Sequence, residues 1–200
     1  MSADDVVSRH VRTAGLRLND DESIVYSNDH ARGHRPSRPL PPVRVGIGFD
    51  VHRLEVGRRL VLAGLELPWD MGLLGHSDGD VICHALIDAL CGAAALGDIG
   101  TLFPDSDPKY KDARSLDLLR DAGGRCRAAG WTVGNADVTL IAQAPKLAPY
   151  RDEMRKNLAS ALGVEPAAVG LKATTTDHLG VIGRGEGLAA QAVVLLRPSV

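Results

Sequence analysis

Apolar positions become regular only after Val43. Val43 to Phe49 is short and rich in Val and Ile, which predicts a strand. Arg59 to Leu67 predicts a second strand, broken by Gly64 and ended by Pro68. Gly72 to Asp80 reads as a glycine-rich loop, from which Asp78-Gly79-Asp80 offers an N-cap to a helix running to about Ala95. A loop containing Gly97, Gly100, Pro104 and Pro108 follows, then a helix over Ser115–Ala129, weakened by Gly123 and Gly124. Alternating Val138, Leu140 and Ala142 predict a strand over Trp131–Ala142. Pro149–Leu162 reads as an amphipathic helix stopped by Gly163, and Val169–Thr175 and Leu188–Leu196 read as strands. The order β-β-α-α-β-α-β-β predicts one sheet with helices on one face, and no internal repeat stands out.

Residues 1–42 lack this regularity. They are polar, mixed in charge, and end in Pro36-Ser37-Arg38-Pro39-Leu40-Pro41-Pro42, a stiff spacer. Val7, Val11 and Leu16 could line one side of a short helix, but too few apolar residues follow to anchor it. The expectation is a disordered extension over 1–42 and one folded domain over 43–200. Acidic Asp4, Asp5, Asp20, Asp21 and Glu22 argue against an organelle transit peptide, and no secretory signal is visible.

Composition adds exclusions. The 200 residues are 44% hydrophobic and 4% aromatic, so the core must be built from Val, Leu, Ile and Ala. A net charge of −2 suggests no nucleic-acid footprint or basic membrane patch, and no apolar run approaches a membrane span. Cys83, Cys91 and Cys126 have no metal-like spacing; the first two fall in an apolar helical stretch and read as small buried hydrophobes. A reduced cytoplasm fits best.

Candidate chemistry begins at Asp50-Val51-His52. Residues two apart on an extended chain point to the same side, so a carboxylate and an imidazole project together from the end of the first strand. Alone, the pair is a weak signal, better read as Asp50 capping a turn and His52 as a hydrogen-bonded histidine. His76-Ser77-Asp78-Gly79-Asp80 leads into the helix carrying His84, which could supply a third ligand. Two His and one carboxylate with an open position form a catalytic-type zinc set. Asp88, four residues after His84, shares its helical face and could orient an imidazole. The bland alternative makes His84 a core histidine and Asp88 a surface charge. Asp98 to Asp107 is either a solvated connector or a lid gripping hydroxyls and phosphates. Thr174-Thr175-Thr176-Asp177 could meet phosphates and a hard cation, or simply reflect β-propensity. Gly183–Gly187 matches neither a P-loop nor a dinucleotide fingerprint.

GFDVH (48–52), HSDGDVICHAL (76–86), DIGTLFPDSDPKY (98–110), DVTLIAQAPKL (137–147), KATTTDHLG (172–180) and GRGEG (183–187), in this order, resemble the 2-C-methyl-D-erythritol 2,4-cyclodiphosphate synthase family. The resemblance covers essentially all of 43–197. It implies an α+β two-layer fold with a mixed sheet of about four main strands, helices on one face and a short hairpin. It also implies a homotrimer with sheets facing a central axis and active sites between subunits. The implied reaction, in the non-mevalonate isoprenoid pathway, cyclises 4-diphosphocytidyl-2-C-methyl-D-erythritol 2-phosphate and releases CMP. Zinc would be held by Asp50, His52 and His84, and Mg²⁺ or Mn²⁺ would accompany the substrate diphosphate, with Asp177 as a ligand. His76 and Thr175 would stabilise the transition state. Substrate contacts would come from Asp50, Val51, His52, His76, Ser77, Asp98, Ile99, Gly100 and Phe103, Pro104, Asp105, Ser106, Asp107. A cytidine pocket would be formed by Ala142, Gln143, Ala144, Pro145, Lys146, Leu147 and Ala148, and Thr174, Thr175, Thr176 and Asp177 would meet the phosphates. Val181 and Arg184 would face an axial cavity able to hold an isoprenoid diphosphate.

Two departures stand out. Asp177 replaces the Glu usual in the family, and Val181 stands where some members have Phe. Three rivals are a metal-dependent phosphohydrolase, a non-catalytic isoprenoid-diphosphate-binding homologue, and a structural zinc module. The last would normally use four ligands, often cysteines, and no suitable cysteine set exists.

Overall fold

The structure, a computed structural model, describes residues 43–199 and the short segments 17–18 and 24–25. The chain divides into two units, residues 1–40 and 41–200. In the first, Arg17–Leu18 pairs antiparallel with Ile24–Val25. The helix face sought at Val7, Val11 and Leu16 and the proline-rich spacer at 36–42 lie outside the described residues.

In the second unit the elements are β1 (Arg44–Val56), β2 (Leu60–Leu62), β3 (Leu65–Leu67), β4 (Met71–Leu73), α1 (Val81–Ala94), α2 (Ile99–Leu102), α3 (Ser115–Ala128), β5 (Trp131–Ile141), α4 (Arg151–Leu162), β6 (Val169–Thr174), α5 (Gly180–Gly183) and β7 (Gly187–Pro198). The sheet order is β4-β1-β7-β5-β6, with only β5 and β6 parallel. The mixed sheet with helices on one face is therefore present, its four long strands joined by the three-residue β4.

Three expectations need correction. The first strand does not stop at Phe49 but runs to Val56, because Arg44–Arg53 pairs without interruption along β7. Asp50 and His52 thus sit inside a strand, not at its end. The stretch around Gly64 is not one broken strand but the hairpin β2–β3. Ala63 and Gly64 adopt φ of 50° and 70°, the left-handed pair that a two-residue hairpin turn requires. The loop from Gly72 to Asp80 begins as β4, which pairs with the extended end of β1.

β1 alternates strictly. Gly46, Gly48 and Asp50 face the helices, while Val45, Ile47, Phe49 and Val51 point away and are 50–64% exposed. Helix α1 packs on β1 and β7, α3 packs on α1 and β5, and α4 on α3 and β6. Twelve of the fourteen α1 residues are buried, the pattern of a helix enclosed on all sides. Asp80 caps it by accepting from the Ile82 and Cys83 amides, and Ala95 ends it at φ 58°. All three cysteines are free and buried, and burial pushes the Cys91 thiol up to about 12. Among the described residues no helix is long and apolar enough to cross a membrane.

Candidate active site and metal centre

The extended run of β1 and the fixed register of α1 bring three side chains to one point. Asp50 Oδ2 lies 2.9 Å from His52 Nε2 and 2.9 Å from His84 Nδ1, and the two ring nitrogens are 3.1 Å apart. Among the described residues this is the cluster able to hold a metal ion. In a tetrahedral zinc site with bonds near 2.0 Å the ligand atoms stand about 3.3 Å apart, so a small outward shift of each would seat the ion.

Each candidate ligand side chain is held by a fixed partner. The Leu74 carbonyl accepts from Nδ1 of His52 and so points Nε2 toward Asp50 and the centre of the cluster. His84 turns Nε2 toward the buried hydroxyls of Ser77, at 3.0 Å, and Ser115, at 2.9 Å. Burial works to raise the Asp50 pKa, yet hydrogen bonds from His52 and His84, and their charge, hold it far below the usual carboxylate range. The His52 pKa is raised, first by the hydrogen bond to Asp50 and against the effect of burial. A permanent carboxylate beside two imidazoles favours a cation in the centre.

Asp88 does not orient an imidazole, contrary to its helical spacing. Its Oδ1 accepts from the Ile99 amide at 2.8 Å and anchors α2, because the chain folds back over the C-terminal half of α1. Asp98 caps α2, accepting from the Thr101 amide at 2.7 Å. Buried Phe103 meets Tyr110 edge-on at 5.3 Å between centroids. These contacts shape Ile99, Gly100, Phe103, Pro104 and Asp105 into one wall of a cavity of about 350 Å³ whose floor is Asp50, His52 and His84. Exposed His76 and buried Ser77 also line it. The segment is therefore a cavity wall, not a solvated connector. Asp98, Ser106 and Asp107 are not on that wall; Asp107 instead caps the turn at Lys109.

The remaining candidates gather elsewhere. Val51 pairs with Ala189, Ala189 with Ile141, and Ile141 with Thr174. Three strand spacings therefore separate Thr174 from the strand carrying the metal cluster, about 14 Å. Thr175 and Asp177 continue beyond Thr174, and Asp177 and His178 both take left-handed φ. Gln143 reaches across to this turn, where its Oε1 accepts from the His178 amide at 3.3 Å. The 142–148 loop and the 174–178 turn thus form one surface, remote from the metal cluster of the same chain. Val51, Val181 and Glu186 line a second, open cavity of about 610 Å³. Arg184 donates from Nε to Glu186 at 2.5 Å.

Sequence reasoning missed Ser115, Tyr110 and Leu118 as parts of the site. Ser115 reads only as a helix start and meets His84 from behind, and Leu118 reaches the cavity only once α3 is docked.

Residues 43–197 match the model of the YgbB family. The chain is 58% identical over 154 residues to 2-C-methyl-D-erythritol 2,4-cyclodiphosphate synthase of Moorella thermoacetica, covering 77% of this chain and 94% of that protein. It superposes on the bifunctional IspDF from Campylobacter jejuni with a TM-score of 0.77 at 45% identity, over 80% of this chain and 44% of that one. The CDP complex of IspF from Plasmodium falciparum superposes with a TM-score of 0.70 at 33% identity, over 80% of this chain and 99% of that one. With the order of motifs, the sheet and the Asp–His–His cluster all in agreement, the chain belongs to the YgbB family of 2-C-methyl-D-erythritol 2,4-cyclodiphosphate synthases.

Proposed function

We propose that the chain converts 4-diphosphocytidyl-2-C-methyl-D-erythritol 2-phosphate into 2-C-methyl-D-erythritol 2,4-cyclodiphosphate and CMP. The observation that carries this reading is the convergence of Asp50, His52 and His84 at the floor of a cavity walled by Ile99–Asp105, in a chain of this family. An oxygen of the substrate's 2-phosphate forms the bond to the β-phosphorus, and the bond from that phosphorus to the CMP oxygen breaks. No water enters the balance.

Zinc held by Asp50, His52 and His84 would supply Lewis acidity at the β-phosphate oxygens. The chain's own residues do the positioning. The cavity folds one flexible molecule so that its two ends meet, which converts a collision into an internal reaction. His76 and Ser77 in the cavity lining donate to phosphate oxygens, and Ile99–Asp105 hold the erythritol hydroxyls and exclude water. Ala142–Ala148 take the cytidine, with Thr174, Thr175 and Thr176 at the phosphates. Thr175 and His76 stabilise the charge that develops in transit. Asp177, one methylene shorter than Glu, would help to hold the Mg²⁺ or Mn²⁺ that accompanies the diphosphate, and the cation would supply charge neutralisation there.

The separation of about 14 Å between the metal cluster and Thr174 supports a site shared by two copies. The exposed apolar side of β1, with Val45, Ile47, Phe49 and Val51, supports burial of that sheet face in a homotrimer. In such a trimer one subunit's 142–148 loop and 174–177 turn complete a neighbour's metal centre. Val181 then faces the axis, where an isoprenoid diphosphate would find an apolar wall and Arg184.

The test is a zinc-loaded assay with the cytidine-diphosphate substrate, following CMP and the phosphorus spectrum of the second product, beside His84→Ala. CMP and a cyclic diphosphate, both absent in the variant, are the expected outcome. An open-chain phosphate product would instead make the chain a phosphohydrolase, and zinc binding with no CMP would remove the catalytic reading.

A further inference from the structure

Residues 74–80 join β4 to α1 without regular structure, yet four successive carbonyls of this loop are engaged. Leu74 accepts from the His52 ring, and His76 accepts from the Asp112 amide at 2.9 Å. Gly75 and Ser77 both accept from Arg58 Nη2, at 3.4 Å each. The two ends of the loop have further anchors. The Leu74 amide donates to the Arg53 carbonyl at 2.8 Å, and the buried Ser77 hydroxyl lies 3.0 Å from both His84 Nε2 and Ser115 Oγ. Among the described residues, Gly75 and His76 are held through hydrogen bonds from Arg58 and Asp112 alone. Glycine is the residue least able to fix its own backbone. Position 75 also needs it, since a Cβ there would stand 3.2 Å from Cε1 of the His52 ring. Among the described residues the exposed His76 imidazole has no hydrogen-bond partner, so its place in the cavity lining follows from the backbone beneath it.

We propose that Arg58 is a positioning residue, gripping the Gly75 and Ser77 carbonyls from behind so that His76 is held in the cavity between them. The inference rests on the reading of His76 as a donor to the substrate phosphates and deepens it. Arg58 follows Gly57, whose φ of 84° turns the chain out of β1. Its neighbour Arg59 goes outward and pairs with exposed Glu66 at 3.1 Å. Arg58 goes the other way, is half-buried, and forms no ion pair among the described residues. It lines a second cavity of about 260 Å³ with Ser77, Asp78 and Asp112. Asp78 is engaged there by the hydroxyl and amide of Ser115. Ser77 lines both this cavity and the one above the metal cluster, so the loop is the partition between them. A guanidinium suits the rear of such a partition. Nη2 carries two hydrogens, one for each carbonyl, and a charge not shared with a carboxylate strengthens both bonds.

The test uses the full chain and Arg58→Met, which keeps the apolar stem and removes the guanidinium. Hydrogen exchange over residues 72–80 and 110–114, followed by mass spectrometry, reads the loop without any turnover. The expected result is exchange about tenfold faster in both segments with α1 unchanged, the mark of a local opening. Steady-state kinetics with the cytidine-diphosphate substrate reads the consequence. The kcat should fall about 10- to 100-fold, with KM within about threefold, because a donor displaced by a fraction of an ångström is lost chiefly in the transition state. Zinc affinity should stay within about twofold, since Leu74, the partner of His52, keeps its own anchor on Arg53. The same substitution made on His76→Ala should cost less than about twofold in kcat, because a residue that acts through His76 has nothing left to position. An equal loss of kcat in both backgrounds overturns the proposal, since that pattern marks general damage. Unchanged exchange in the loop overturns it as well. A parent that releases no CMP, or a His76→Ala variant with undiminished kcat, refutes the proposed reaction or the role of His76. The exchange rates still decide in that case whether Arg58 holds the loop.

Discussion

Gly48 of β1 and Ala85 of α1 touch through their backbones: a Cβ at position 48 would overlap the Ala85 carbonyl oxygen. Gly46 stands in the same relation to Ala89, one helical turn on. The two glycines let α1 lie directly on the strand, and this close approach sets His84 within reach of Asp50 and His52. A Gly48→Ala substitution must lift the helix. The expected cost is about 3 kcal/mol of stability from overpacking, with zinc affinity falling in the same variant. Urea unfolding and chelator competition would measure the two. An unchanged zinc affinity would mean that the helix position does not set the metal geometry.

The Asp50–His52 pair gives the metal-free protein a defined pH response. The pKa of His52 lies above its ordinary 6.5, so its charged form stabilises the fold below that value. That contribution disappears as pH rises through the raised folded-state pKa. Asp50, depressed below 3.8, contributes above that value and loses its effect as pH falls through its lowered pKa. Metal-free protein should therefore melt highest at about pH 4–6.5 and lower toward pH 8.5. Zinc requires neutral imidazoles, so the rise in melting temperature on adding zinc should grow over the same upward range. A zinc-induced rise that is flat with pH would contradict the assignment of His52 as a ligand.

Asp88 supplies a contrast with the metal ligands. Asp88→Ala orphans the Ile99 amide, at a cost of about 1–3 kcal/mol if that amide finds no other partner, and frees α2 from α1. The expected outcome is a raised KM with zinc affinity within about twofold of the parent, since the carboxylate touches the cavity wall and not an imidazole. Steady-state kinetics with zinc titration checks this. A large loss of zinc affinity would restore the imidazole-orienting role.

The exposed side of β1 predicts an assembly. Ile47 points away from α1 and from the metal cluster, on the face opposite Gly46 and Gly48. Ile47→Glu places a charge on the sheet face proposed to meet the trimer axis. Sedimentation should show monomers, zinc should still bind, and CMP release should be lost. Trimers of undiminished stability would show that another surface holds the copies together.

Much of this was legible along the chain. The strand β5, the core helix α1 with its Asp80 cap, and the helices α3 and α4 follow from apolar period and punctuation, which are local properties. The Asp50-x-His52 pair follows from strand alternation, and His84 from its place early in an apolar helix. The extent of β1 was not legible. Polar Asp50, His52 and Arg53 interrupt the apolar pattern, and only pairing with β7 keeps the backbone extended through them. The hairpin at Ala63-Gly64 was hidden because an αL alanine leaves no mark in composition.

The sequence by itself determined the types of ligand, the elements that carry them and the family to which the chain belongs, because these rest on residue identity and short-range period. The tertiary structure alone decided which carboxylate serves which group. Asp88 has the helical spacing to orient an imidazole but turns to a returning loop. Asp78, on the loop before α1, reaches the site through a serine on α3, a helix that begins 31 residues after His84. Sequence spacing predicts neighbours only within one element; contacts between elements are set by how the close-packed core docks α3 against α1, and the period of neither helix encodes that.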